Sequence, residues 1–167
     1  MKNLRNLFSG RAKKPEHALE LQGSLSARVT RNGKTRDLGV ICRKKVTDAF
    51  VAYLVDSLQD STADPMDDFK YHDSGTGVGA ENKTDTTLGT PCAEARDIGT
   101  QVEGASAWIF RTVGEHTYAG GFAITEHGVF SAAVAGTLMD RSVFAAINVV
   151  ATDKIEFTYE LTCTSEA

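Results

Sequence analysis

The hydrophobic pattern changes period along the chain, and those changes mark its elements. From residue 18 to 31 apolar and polar positions alternate. Leu19, Leu21, Leu25, Ala27 and Val29 share one parity, and Glu20, Gln22, Ser24, Ser26, Arg28 and Thr30 hold the other. Period two predicts a half-buried strand. Arg31-Asn32-Gly33-Lys34 follows, and Asn-Gly accepts positive φ at both central turn positions, so a tight hairpin is expected with Thr35–Arg43 as the return strand. The period then lengthens. Phe50, Leu54 and Leu58 recur every four residues with Val51 and Val55 beside them, and no Gly or Pro interrupts. That spacing predicts one helix over about 47–58, capped by Thr47, with a broad apolar face packed on a sheet.

Residues 59–68, QDSTADPMDD, read as an acidic loop, and Phe69–His72 as a short strand. Residues 71–91 form a long polar loop. Beyond residue 93 period two returns in five segments: Ala105–Val113, His116–Thr125, Val129–Ala133, Arg141–Val150 and Lys154–Cys163. The last is the most regular, with Ile155, Phe157, Tyr159, Leu161 and Cys163 on one parity. Gly114, Gly120-Gly121, Gly128, Gly136 and Asp153 supply the expected turns. Short strands joined by turns predict a mainly β fold, an antiparallel β-sandwich of jelly-roll type with one helix. The domain reading is an extended basic arm, residues 1–16, and a single β-sandwich domain, residues 17–167.

Composition adds three constraints. The chain has 167 residues, 41% hydrophobic and 24% charged, enough for one domain with its own core. The stretches free of charge are too short to cross a bilayer, and no apolar signal-peptide region stands at the start, so a membrane partner is not expected. Cys42, Cys92 and Cys163 are odd in number and widely spaced, which points to reduced thiols.

Charge is divided unevenly. Residues 1–45 hold twelve bases and three acids, a net of +9, and the remainder holds six bases and nineteen acids, a net of −13. A basic arm ahead of an acidic body reads either as a solvated basic tail or as a segment that docks on an acidic partner surface or another copy, with nucleic acid the disfavoured partner. Lys2, Arg5, Arg11, Lys13 and Lys14 are the proposed partner-binding residues of the arm.

Gly75-Thr76-Gly77-Val78-Gly79 has the look of a phosphate-cradling loop. Such a loop needs a helix directly after it, and the residues up to Gly89 and Pro91 have no helical period. The loop is therefore read as a surface segment that meets a partner, through Ser74, Thr76, Asn82, Lys83 and Asp85. His72-Asp73 and Glu126-His127 are the close acid–histidine pairs, without a third convergent group at ligand spacing. They are read as structural or exposed. No nucleophile, metal or cofactor signature appears, so neither catalysis nor a cofactor is expected. Trp108, Phe110, Phe122, Phe130, Phe144, Phe157 and Tyr159 are expected in the core.

Ala123-Ile124-Thr125-Glu126-His127-Gly128-Val129-Phe130, followed by Gly136-Thr137-Leu138-Met139-Asp140-Arg141-Ser142-Val143-Phe144 and a final strand, resembles tailed-bacteriophage virion structural proteins. These carry an ITE-x-G-[LV]-F … GTL-[LM]-x-R-x-x-F arrangement near the C-terminus. KYHDSGTG … TDTTLGTP resembles the polar loop upstream of it, and the resemblance spans roughly residues 69–163. It implies a non-enzymatic virion component assembled in the host cytoplasm. The expected role is a capsid decoration (cement) protein, a homo-oligomer on the capsid surface that binds the major capsid protein. A tail, baseplate or head–tail joining part is the alternative, and a surface carbohydrate-binding module a more remote one. Two local expectations accompany it: a tight corner at Thr125–Gly128, and pairing of Glu126 with Arg141 across neighbouring strands.

Overall fold

The computed structural model describes residues 18–44 and 46–165, and the proposed arm residues Lys2, Arg5, Arg11, Lys13 and Lys14 lie outside them. The described residues form two antiparallel sheets and one helix, as the alternating pattern predicts. The first sheet holds β1 (Leu19–Arg31), β2 (Lys34–Lys44), β5 (Thr100–Glu103), β6 (Ile109–Thr117) and β9 (Lys154–Ser165), in the order β2-β1-β9-β6-β5. The second holds β3 (Tyr71–Gly75), β4 (Asp97–Ile98), β7 (Phe122–Phe130) and β8 (Leu138–Val149), in the order β4-β3-β7-β8. The helix α1 (Asp48–Gln59) follows β2, and a single 3-10 turn, Met66–Asp68, leads into β3.

Each parity finds its side. Leu25, Ala27 and Val29 of β1 and Ile155, Phe157, Tyr159 and Leu161 of β9 point into one core with Ile124, Val129, Met139, Ile147 and Val149 of the facing sheet. β1 and β9 register continuously from Leu19–Ser165 to Thr30–Lys154, so the first and last strands sit side by side. The hairpin forms at Asn32 and Gly33, with φ of 50° and 72°. Arg31 grips Asp153 through Nε and Nη2, which ties this hairpin to the turn between β8 and β9.

Three glycines overturn their expected roles or keep them for clear reasons. Gly114 does not break a strand but lies inside β6, where an added Cβ would stand 2.5 Å from Cγ of His72. Gly128 likewise sits inside β7 opposite Arg141, so the corner expected at Thr125–Gly128 is strand, with an irregularity in its pairing at Thr125. An added Cβ there would press on Leu138 and Leu88 at 3.0 Å, so its role is close packing. Gly136 does turn the chain, at φ 74° beside Ala135 at 57°. Trp108 also departs from expectation: it lies in the turn before β6, 60% exposed, while Phe130, Phe157 and Tyr159 are buried.

The helix begins as predicted and packs differently. Thr47 caps it, accepting from the Phe50 amide and donating its hydroxyl to the Leu138 carbonyl, while its amide bonds Met139. That anchors the helix start on β8. Of the apolar residues only Phe50 is fully buried, edge-on to Phe69 at 5.0 Å between ring centres. Val51, Val55 and Leu58 face outward, with Leu58 82% exposed. The broad apolar face is thus divided between core and surface.

Candidate functional site

The glycine-rich loop cradles an anion, and the anion is a side chain of the same protein. Glu126 is fully buried at the middle of β7. Its Oε1 accepts from the amides of Gly77 (3.0 Å) and Thr90 (2.6 Å), and its Oε2 from the amide of Gly89 (2.9 Å) and Nε of Arg141 (2.8 Å). A Cβ at Gly77 would stand 2.4 Å from Oε1, so the backbone reaches the carboxylate only because the residue is glycine. Arg141 is itself buried and extends the network to Asp85 at 3.0 Å and to the Gly79 carbonyl at 3.2 Å. Burial pushes the Glu126 carboxyl up, but the Thr90 and Gly89 amides and the Arg141 guanidinium outweigh it and hold it below the ordinary value. The expected Glu126–Arg141 pair is present, and it fastens the whole 76–91 segment to the body.

The predicted contact residues therefore divide. Ser74 is fully buried in β3, where its hydroxyl accepts from Tyr118, so it cannot meet a partner. The expectation of a loop from residue 71 fails for Tyr71–Gly75, which are strand paired with β7. Thr76 and Asp85 are half-buried, and Asp85 is engaged by Arg141. Asn82 and Lys83 are exposed, and Lys83 pairs with Asp48 at 3.0 Å at the start of α1. The exposed positions of this segment are Val78–Ala80, Asn82–Thr84, Thr86–Thr87 and Gly89–Pro91.

A second polar cluster lies between the sheets. His72 of β3 bonds His127 of β7 (Nδ1 to Nε2, 3.0 Å) and Thr112 of β6 (Nε2 to Oγ1, 2.9 Å). His116 of β6 holds Asp97 of β4 through Nδ1 and stacks obliquely on Tyr118. Burial, then neighbouring His116, lowers His72 to about 3, and burial holds His127 well below its ordinary value. Both are neutral at pH 7. Three of the four histidines thus converge, which the spacing did not show, because each comes from a different strand. The ring of His72 passes between Gly99 and Gly114, whose added Cβ atoms would stand 2.6 and 2.5 Å from it. His72, Thr112, His116 and His127 are all nearly solvent-free. These four side chains are closed off from solvent within the fold.

The third cluster is Asp140, Ser142 and Tyr159. Asp140 accepts from Ser142 at 2.7 Å, and burial and the Glu81 carboxylate raise it to about 6. Asp140 Oδ2 and the Tyr159 hydroxyl have no partner among the described residues, and both lie 2.8 Å from where a Gly23 Cβ would stand. They share one small polar space over that glycine.

Among the described residues no three His, Cys, Asp or Glu side chains are placed to hold a metal, and no helix is long and apolar enough to cross a membrane. The surface carries instead shallow depressions. The one between β2 and β8, about 410 Å³, has Leu38, Ile41 and Ile147 in its floor and Arg36 on its rim. Compared with protein families, curated proteins and solved structures, the chain matches none of them.

Proposed function

We propose that the protein is a non-enzymatic structural component of a tailed-bacteriophage virion, and within that class a capsid decoration protein that binds the major capsid protein as one of many identical copies. The observation that carries this reading is the fixed polar loop. Glu126 and Arg141 bind 76–91 to the sheets, so its outer surface is presented in one shape. A preformed surface loses little conformational freedom on binding, and repetition over a lattice multiplies a modest contact. The segments that resemble virion proteins are the ones that build this device: β3 and the loop, then β7, then the turn and β8.

Binding of the purified chain to empty phage heads, with and without residues 1–16, across a salt series, tests the reading. Saturable binding at hundreds of copies per head, weakened by salt and by loss of the arm, is expected. Binding to tails, or closed rings of about a dozen subunits or fewer, would assign the chain to the tail or joining class instead. One observation favours a carbohydrate-binding module: Trp108 stands free on the surface. Tyr118, the other aromatic whose exposure would support it, is buried.

A further inference from the structure

Charge is sorted along one side of the body. Among the described residues, the bases without an ion-pair partner are Lys34, Arg36 and Arg43, and all three stand on β2. Lys34 and Arg36 line a depression of about 420 Å³ together with Asn148 of β8. Its third base, Arg31, is held by Asp153. Asp37 stands opposite Arg28 and turns its carboxylate onto the Gly39 amide. Through Arg36 and Asn148 the depression runs on into the one floored by Leu38, Ile41 and Ile147. The two make one trough between the sheet edges, apolar along its floor and basic at one end.

The other end of the same side is acidic. Residues 46–69 contain no Lys or Arg. Asp64 and Asp67 have no basic partner among the described residues, and Asp68 has Lys70 at 3.9 Å. The Tyr53 hydroxyl donates to the Pro65 carbonyl at 3.2 Å, and burial, then Asp68, Asp64 and Asp67, push its pKa up, so these carboxylates gather at one place. Register fixes where that place is. Tyr71, three residues beyond Asp68, pairs with Phe130, and Phe130 pairs with Leu138 at the start of β8. The trough's cations lie beside Asn148, near the end of β8. Ten residues of strand separate the two groups by about 30 Å.

We infer that the occupant of the β2–β8 trough is a second copy of this chain, which lays the segment around the 3-10 turn, residues 63–67, against Lys34 and Arg36. Charge complementarity selects it. Asp64 and Asp67 answer the two cations, and Ala63 and Pro65, interleaved with them, answer the apolar floor. A copy docked trough to trough would set Lys34 and Arg36 against themselves. Nucleic acid is repelled by the net −13 beyond residue 45. The contact runs through side chains, since a 3-10 turn and its flanks add no strand to β2. Donor and acceptor surfaces differ and lie at opposite ends, so the contact is head-to-tail and leaves both outer ends of a pair open. It is small and charged, so it is weak in solution and weakened by salt.

The inference does not rest on the virion reading: a chain that fails to bind heads can still self-associate, and one that stays single can still bind heads. The test is sedimentation of the full chain up to about 1 mM, in about 20 mM and about 300 mM salt. At low salt the average mass is expected to climb with concentration past that of a dimer, and to fall back at high salt. Lys34→Gln/Arg36→Gln removes the trough's cations, and Asp64→Asn/Asp67→Asn the facing carboxylates. Each variant alone should remain a monomer. Mixed in equal amounts, they retain one intact contact between them and should form dimers and nothing larger, which also shows that both are folded. A parent chain that is monomeric throughout, or that stops at a dimer, overturns the inference. So do variants that associate as the parent does, and a mixture that stays monomeric.

Discussion

Glu126 shows how one buried side chain can organise a long loop. It satisfies three backbone amides and one guanidinium while itself fully buried. Removing the carboxylate leaves Arg141 buried with only Asp85 and the Gly79 carbonyl, and three amides without acceptors. Glu126→Ala is therefore expected to cost about 3–5 kcal/mol in chemical denaturation. Proteolysis should then open first within 78–87, before the sheets. The titratable residues set a pH profile whose sign can be worked out. His72 is held near 3, and unfolded it titrates near 6.5. Between those values the unfolded chain takes up a proton that the folded one refuses, so stability falls on acidification, by up to about 1.4 kcal/mol per pH unit for each such histidine. His127 acts in the same direction, and Glu126 adds to the loss below its ordinary value. Asp140 acts oppositely. Raised to about 6, it contributes stability that is present below 3.8 and lost as pH rises through 6. Asp140→Asn should therefore steepen the acid side of a denaturation-against-pH curve, because the opposing proton uptake is gone. An unchanged slope would mean that Asp140 is ionised in the fold.

At the scale of elements, what the sequence made legible was whatever rested on local rules. The Asn32-Gly33 hairpin, the helix start at Thr47 and the alternation of β1 and β9 each follow from a few adjacent residues. The two misread glycines share one cause. Gly114 and Gly128 lie in strands because His72 and the Leu88–Leu138 pair press against them from elsewhere in the chain. A glycine needed for close approach looks, in sequence, like a glycine needed for a turn. The candidate site was half legible for the same reason. The Glu126–Arg141 pair joins neighbouring strands and was anticipated, whereas the histidines meet only after β3, β6 and β7 have assembled. The helix offers a direct comparison of its two apolar sides. Phe50→Ala removes a ring packed edge-on against Phe69 and should cost about 3–5 kcal/mol. Leu58→Asp, on the exposed side, should change global stability by no more than about 0.5 kcal/mol. Equal losses by urea denaturation would place Leu58 inside the folded core.

For the whole molecule, the sheet edges matter as much as the core. β2 and β8 end their respective sheets and lie next to each other along one side. β2 carries Lys34, Arg36, Arg43 and Lys44, and its pairing with β1 is broken by two irregularities. Charge and bulges of this kind keep an edge from adding strands of another chain. The interior of the first sheet depends on β9, which lies between β1 and β6 and pairs with both. A chain that stops before Lys154 leaves Leu25, Ala27 and Val29 without the strand beside them and removes Ile155, Phe157 and Tyr159 from the core. Such a chain is expected in the insoluble fraction, and its recovery as a soluble, cooperatively unfolding species would show that β6 can close on β1 directly.

The place of β9 also sets a schedule for synthesis. β1 leaves the ribosome more than a hundred residues ahead of the strand that must lie against it. At 5–20 residues per second the wait is on the order of 6–25 s. Through that interval the first hairpin shows its apolar side to solvent, and the largest sheet can only zip shut after the last of its strands has emerged.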